Sequence, residues 1–439
     1  MLALGLPWRA ALAACESRMV NLNAQLQAIV DTEEAPLAGL SVLVKQAGVV
    51  VHEAQFGRRY IDPATPEADL PVTPDTLFRV ASITKLAVSL CALRLADAGL
   101  LDLDADVGEI LGYRIRHPNY PTARITPRLL MSHRSGFSDA GNDLLDGTTD
   151  LRALLFEMRD ASGARNPWSK GGGGDYFEYS NLNFVVLAAA MERVTHSRFD
   201  ALMRTWLLEP LDMVGGFDPA RLPAQERAQL ATLYRKAVND ESTWSPAGPW
   251  YAQTDDRRGP DQPALDARFA GPYLPGSRPG LFGPQGGLRT RVRDLAKLAD
   301  LLLGNGQYDG RTILQRARVQ AMLQESWRSN MHQGAAANGD DDRGTFQAWG
   351  LGVQHFIDRS RPGWGDRLLP GGGVTAWGHL GFAYGLVAGV FVEPVRATTV
   401  IYVISGTGDN PDTHPGEYSS FARWEERVLA LLWASAGYA

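Results

Sequence analysis

Between Ser82 and Gly99 the chain carries a helical pattern too apolar to sit on a surface, with one charged residue built into it. Ile83, Leu86, Ala87, Leu90, Cys91 and Leu93 form a broad apolar face, Ser82 stands at the start, and Gly99 is placed to end it. Lys85 falls one turn after Ser82. Only five lysines occur, at positions 45, 85, 170, 236 and 297, and arginine supplies the other 38 of the 43 cations. The choice matters chemically, because a guanidinium cannot give up its proton in a protein whereas a desolvated ammonium can. Helix geometry puts residues i and i+3 about 5–6 Å apart at Cβ on one face, so Ser82 and Lys85 point to the same place. A neutral amine beside a hydroxyl is a general base beside a nucleophile. The plain alternative is a capping serine followed by a solvated lysine. An unpaired ammonium inside an apolar helix is costly, which argues against it.

The bulk numbers exclude several function classes. A net charge of −6 and a pI near 5.8 give no general attraction to nucleic acid or anionic membrane. No stretch approaches the roughly 18 uncharged apolar residues needed to span a bilayer. Two cysteines cannot make a disulfide framework, and Cys91 reads as a small core residue. Leu12-Ala13-Ala14-Cys15 looks like a lipoprotein processing box, but no basic segment precedes it, and Pro7 and Arg9 interrupt the apolar run. The expectation is therefore cytoplasmic residence, with a periplasmic or lipid-anchored form through Cys15 as the alternative. Residues from about 9 to 31 read as an amphipathic first helix with Met19, Leu22, Leu26 and Ile29 on one face.

Along the chain, Leu40 to Val44 and Val49 to Ala54 read as a hairpin about Gln46-Ala47-Gly48, with Gly57 ending the second strand. Residues from about 110 to 284 change to short helical patterns joined by loops. Gly171 to Gly174 is a turn and not a phosphate loop, since no strand precedes it and no Gly-Lys-Ser/Thr follows. Residues 238 to 280, rich in Pro, Gly, Asp and Trp, read as a long excursion in which Trp244 and Trp250 either shape a pocket or simply fold on the surface. The α/β pattern then returns. Helices are predicted over about Arg293–Leu303, Leu314–Glu325 and Ser420–Ala434, and strands over Gly350–Phe356, Tyr384–Val392 and Thr398–Ile404. Strands at both ends of the chain predict one antiparallel sheet built from both termini and flanked by helices. The expected division is an α/β domain of residues 1–110 and 285–439 with a mainly helical inserted domain of 111–284, including a loop-rich excursion at about 219–280.

Two further motifs are ambiguous taken singly. Tyr179-Ser180-Asn181 leads into the apolar helix from Phe184, and a tyrosine there could be a core aromatic. Trp377-Gly378-His379-Leu380-Gly381-Phe382 precedes an apolar strand, and glycines on both sides of His379 suggest close backbone approach. Taken in order with Ser82-Ile-Thr-Lys85, they resemble the penicillin-recognising serine hydrolases. These include class C β-lactamases, D-alanyl-D-alanine carboxypeptidases, D-aminopeptidases and family VIII carboxylesterases. The resemblance runs through Thr73-Pro-Asp-Thr-Leu-Phe-Arg-Val-Ala-Ser-Ile-Thr-Lys85, Ile125-Thr-Pro-Arg-Leu-Leu-Met-Ser-His-Arg-Ser-Gly136, Phe177-Glu-Tyr-Ser-Asn181 and Gly286-Gly-Leu-Arg-Thr-Arg-Val-Arg-Asp-Leu-Ala296. It covers about residues 35 to 435 and is weakest over 219–280.

The resemblance implies the β-lactamase/transpeptidase-like fold and an acyl-enzyme mechanism with no metal and no cofactor. Ser82 would be the nucleophile, Lys85 the base and Tyr179 the proton relay, with the backbone N–H groups of Ser82 and Phe382 as oxyanion hole. Asn181, His379 and Gly381 would contact substrate. β-Lactamases of this kind usually carry Lys-Thr-Gly where this chain has His379-Leu380-Gly381. A histidine is only fractionally charged near neutrality, and Leu380 removes a hydroxyl that could bind an anion, so efficient β-lactam turnover is not expected. Small carboxylic esters are the favoured substrates. Hydrolysis of amides or peptides with a D-residue on the acyl side, as in D-aminopeptidases or D-Ala-D-Ala carboxypeptidases, is the nearest alternative; less favoured are a β-lactamase, an acyltransferase and a catalytically silent binding protein. The partner is a small-molecule ester or amide, not nucleic acid.

Overall fold

The computed structural model describes residues 21–139, 149–156, 167–238, 243–254, 264–268, 272–330 and 337–438. Ala47 and Gly48, both at positive φ, make the two-residue turn that folds strand β1 (Gly39–Gln46) back on β2 (Val49–Tyr60). Leu40, Val42 and Val44 point to one face of the sheet and Leu43 to the other, the period-2 alternation of a strand buried on both sides. The expected stop at Gly57 does not occur. β2 runs through it with φ +70, because a Cβ there would lie 2.5 Å from the Ala38 carbonyl, so the glycine marks a close approach and not an end.

Seven more strands complete the sheet: β3 (Leu70–Pro71), β4 (Trp327–Arg328), β5 (Ala348–Trp349), β6 (Gln354–Phe356), β7 (Ala376–Ala383), β8 (Leu386–Glu393) and β9 (Thr398–Ile404). Their order is β4-β5-β6-β7-β8-β9-β1-β2-β3, and every pair is antiparallel. β9 pairs with β1 from Leu40↔Ile404 to Gln46↔Thr398, so the two ends of the chain meet at the centre of the sheet as expected. The predicted strand Gly350–Phe356 needs correction: only its last three residues are strand, as β6, while β5 ends at Trp349, before the run begins. The His379 segment precedes the apolar strand β8 as expected and is itself a strand, β7.

Helices cover both faces. Residues 21–30 (α1) place Leu22, Leu26 and Ile29 against one face beside α5 (Arg423–Ser435). Residue 15 and the start of the predicted first helix lie outside the described residues. On the other face, α2 (Ile83–Asp97) and α4 (Val292–Leu303) share a core with α3 (Leu182–Thr195). Almost every residue of α2 is buried, Lys85 included. Burying one Leu- or Ile-sized side chain is worth about 1.5–3 kcal/mol, so this helix is fixed in place by packing on all sides. Burial also pushes the Cys91 thiol up, leaving an inert core residue.

Within the predicted excursion, Leu233–Lys236 pairs antiparallel with Trp250–Thr254 and parallel with Gly406–Thr407. The two tryptophans belong to this small sheet: Trp250 meets Tyr234 edge-on, and Arg235 stands over Trp244. Neither lines the cleft described below. Among the described residues, no helix is long and apolar enough to cross a membrane.

Candidate active site

Ala81 takes a left-handed φ of +43 immediately before Ser82, and α2 starts at the next residue. A non-glycine residue there is strained by roughly 1–2 kcal/mol, and the sharp bend presents the serine at the mouth of the helix. Ser82 is only partly covered and makes no capping bond with its own helix, so its hydroxyl is free for other work.

Lys85 reaches back to it. Its Nζ lies 2.9 Å from Ser82 Oγ, 2.7 Å from Asn181 Oδ1 and 2.7 Å from the Gln285 carbonyl oxygen. Two of these partners can only accept. The Gln285 carbonyl has no proton, and Asn181 is oriented by its Nδ2, which donates to Asp139 Oδ2 at 2.8 Å. The third position of Nζ therefore faces the serine: a proton when Lys85 is charged, a lone pair when it is neutral. Burial lowers the Lys85 ammonium to about 7, against an opposing pull from the Asp139 carboxylate.

Tyr179 approaches Ser82 from the N-terminal end of α3. Burial raises the pKa of its phenol, and the Ser82 hydroxyl beside it partly opposes that rise. The ring stacks on Phe346 at 4.7 Å and on His133 at 4.4 Å, and Lys85 Nζ lies 4.9 Å from its centroid.

Asp139 was not legible from sequence. It holds the start of α3, accepting from Ser180 Oγ (2.8 Å) and from the Asn181 and Leu182 amides (2.8 and 3.2 Å). These are orphan donors of a helix N-terminus, met by a carboxylate from 42 positions earlier. Nothing in the run Phe137-Ser138-Asp139 says which helix it caps.

β7 forms the opposite wall. A Cβ on Gly381 would lie 2.7 Å from the Val80 carbonyl, so only glycine lets this strand pass so close to the turn before Ser82. That approach puts Phe382, half-exposed, on the same cleft as Ser82. His379 is buried, with Nδ1 at 2.7 Å from the Leu380 carbonyl. Burial first, and the Lys85 cation second, lower it to about 3, so it sits in the wall as a neutral ring. All seven residues named at the sequence level, Ser82, Lys85, Tyr179, Asn181, His379, Gly381 and Phe382, thus converge within one site. The cleft measures about 370 Å³ and runs from Ser82 past Leu380 to Glu425 near the start of α5.

The antiparallel sheet from both termini and the serine–lysine pair at the start of the buried α2 define the penicillin-recognising serine hydrolase class. The chain belongs to the beta-lactamase family, whose model matches residues 24–421. It is similar to Esterase EstB of Burkholderia gladioli, 32% identical over 210 residues, which is 44% of this chain and 50% of that protein. The chain thus spans about half the length of that relative. Its fold is also that of a D-amino acid amidase from Ochrobactrum anthropi SV3 (TM-score 0.60, 17% identity, 95% of this chain and 98% of that one). The same holds for EstCE1, described as a hydrolase with promiscuous acyltransferase activity (TM-score 0.58, 19% identity, 96% and 100%).

Proposed function

We propose that this protein is a serine hydrolase that forms an acyl-enzyme on Ser82 and acts on small, uncharged carboxylic esters. The observation that carries this reading is the donor–acceptor count at Lys85: two fixed acceptors leave its third position for the serine hydroxyl, in a setting that makes the amine titrate near neutrality. Ser82 Oγ attacks the ester carbonyl as its proton passes to Nζ. The backbone N–H groups of Ser82 and Phe382 receive the oxyanion, an interaction worth about 3–4 kcal/mol in such sites. Tyr179 gives its phenolic proton to the leaving alkoxide and regains one from the Lys85 ammonium, and water then attacks the acyl-enzyme with the same groups working in reverse.

The charge of the cleft supports an uncharged substrate. Among its described lining residues, Asp342, Asp412 and Glu425 are acidic, and Arg343 is the sole arginine or lysine and is paired with Asp412 at 2.9 Å. A neutral His379 adds no cation for a carboxylate. The likeness to Esterase EstB points to esters, and that to the D-amino acid amidase favours amides with a D-residue as the second reading.

A fluorophosphonate probe is expected to label the wild type and not Ser82→Ala; equal labelling of both would remove Ser82 as nucleophile. On p-nitrophenyl butyrate, D-alanine amide and nitrocefin, kcat/KM is expected to fall in that order. Nitrocefin, which carries a carboxylate, should trail the ester by about 100-fold or more, in line with the cost of burying an unpaired charge. Nitrocefin turnover equal to the ester's would overturn the substrate assignment.

A further inference from the structure

The segment Ser132-His133-Arg134-Ser135-Gly136 has no part in the mechanism above, yet the His133 ring stacks on the catalytic tyrosine at 4.4 Å, closer than Phe346 at 4.7 Å. We propose that His133 is a positioning residue of this site: a neutral imidazole, protonated on Nε2 alone, that sets the Tyr179 ring against Ser82. The proposal rests on the reading that Ser82, Lys85 and Tyr179 carry the reaction.

His133 grips the Tyr179 motif at four points. Its carbonyl accepts the Glu178 N–H at 2.9 Å. Its ring stacks on Tyr179, with centroids 4.4 Å apart and planes 26° apart. Its Nδ1 lies 3.1 Å from the Ser180 backbone nitrogen and 3.1 Å from Asn183 Nδ2. The residue immediately before Tyr179, the tyrosine itself and the residue immediately after it are therefore all held by one histidine. A left-handed φ of +55 at His133, strained for a side chain of this size, turns the ring back over the motif.

The tautomer follows from the partners. A backbone N–H can only donate, so Nδ1 is an acceptor. Asn183 agrees, because Ser135 Oγ donates to its Oδ1 at 2.5 Å while accepting the Phe137 N–H, which leaves the amide NH2 for the histidine. A neutral ring then carries its proton on Nε2. Protonation of Nδ1 would set N–H against N–H. Burial first, and the nearby Lys85 cation second, hold the ring neutral, well below the usual histidine range. His379 has the opposite tautomer by the same argument, since its Nδ1 faces a carbonyl. It serves as an internal control.

Two substitutions separate the ring from the acceptor. His133→Phe keeps the stack and loses the acceptor, while His133→Asn keeps an acceptor near the Nδ1 position, tolerates the left-handed φ and loses the stack. Either is expected to lower kcat on p-nitrophenyl butyrate by about 10-fold or more with KM within about 2-fold, counted per site titrated with fluorophosphonate. In a Tyr179→Phe background the same change should cost under about 2-fold, because coupled residues do not add. An equal cost in both backgrounds makes His133 merely structural and overturns the proposal. Independently of turnover, NMR of ¹⁵N-histidine-labelled protein at pH 7 should show His133 neutral with the proton on Nε2 and His379 neutral with it on Nδ1. A charged His133, or one protonated on Nδ1, overturns the assignment even where Ser82→Ala proves inactive as expected. Turnover surviving Ser82→Ala would instead remove the underlying mechanism and leave the tautomer result to judge His133.

Discussion

Lys85 and Glu192 are two ionisable groups buried to the same extent and driven by burial to the same place, about 7. Their surroundings differ completely. Glu192, on α3, accepts from the Phe199 amide (2.6 Å), the Gly276 amide (2.6 Å) and the Tyr273 hydroxyl (3.0 Å to each oxygen). Two of those partners are backbone N–H groups that cannot take a proton, so the carboxylate is a clamp tying residues 273–276 to α3. Lys85 has two fixed acceptors and one hydroxyl whose proton can move either way. A displaced pKa therefore does not by itself mark a catalytic group. Each group meets a hydroxyl, Tyr273 for Glu192 and Ser82 for Lys85, but only Ser82 lines a cleft that substrate can enter.

The largest effect that tests this contrast is at Lys85. Lys85→Arg is expected to be nearly as inactive as Lys85→Ala, each about 1,000-fold or more below wild type in kcat/KM, because arginine restores charge without a removable proton. An arginine variant that keeps most of the activity would make Lys85 an electrostatic residue and put it in the same category as Glu192.

The chemistry at Lys85 was readable because it is local. Ser82 and Lys85 are three apart on one helix, and the apolar residues around them announce burial. The hairpin was equally local, fixed by a two-residue turn and alternating side chains. The rest depends on pairings that spacing does not encode. Asp139 caps a helix 42 positions away, the acceptor that fixes Lys85 is a backbone carbonyl at Gln285, and β7 was missed as a strand because its two glycines hide the alternation. Those glycines are the reason it can approach Val80 and Val390 so closely. The residue types were legible, but the contacts that orient them are long-range.

The pH dependence of activity gives the second test. With the neutral amine as the proposed base, kcat/KM should rise with pH through about 7 and fall about 10-fold per unit below that, as for an essential base of the free enzyme. Glu192 titrates in the same range, so Glu192→Gln must leave this limb where it is. A limb that disappears in Glu192→Gln would assign it to the clamp and not to the cleft.

The smallest effect is on stability at the clamp. Glu192 has a folded pKa near 7, above its ordinary 4.5, so its contribution to stability is full below 4.5 and is lost as pH rises through 7. Glutamine cannot titrate, and its NH2 would face the Gly276 amide or the Tyr273 hydroxyl. Glu192→Gln is expected to be less stable than wild type at pH 5 by about 1–3 kcal/mol, the usual cost of a buried group left without its partner. The gap should narrow toward pH 8, where wild type bears a buried charge that the variant lacks, and hydrogen exchange over residues 272–277 should speed up in the variant at both pH values. Denaturant unfolding at the two pH values reads the difference directly. A gap that stays constant would mean that Glu192 holds one charge state throughout, and of the two buried groups only Lys85 would titrate near neutrality.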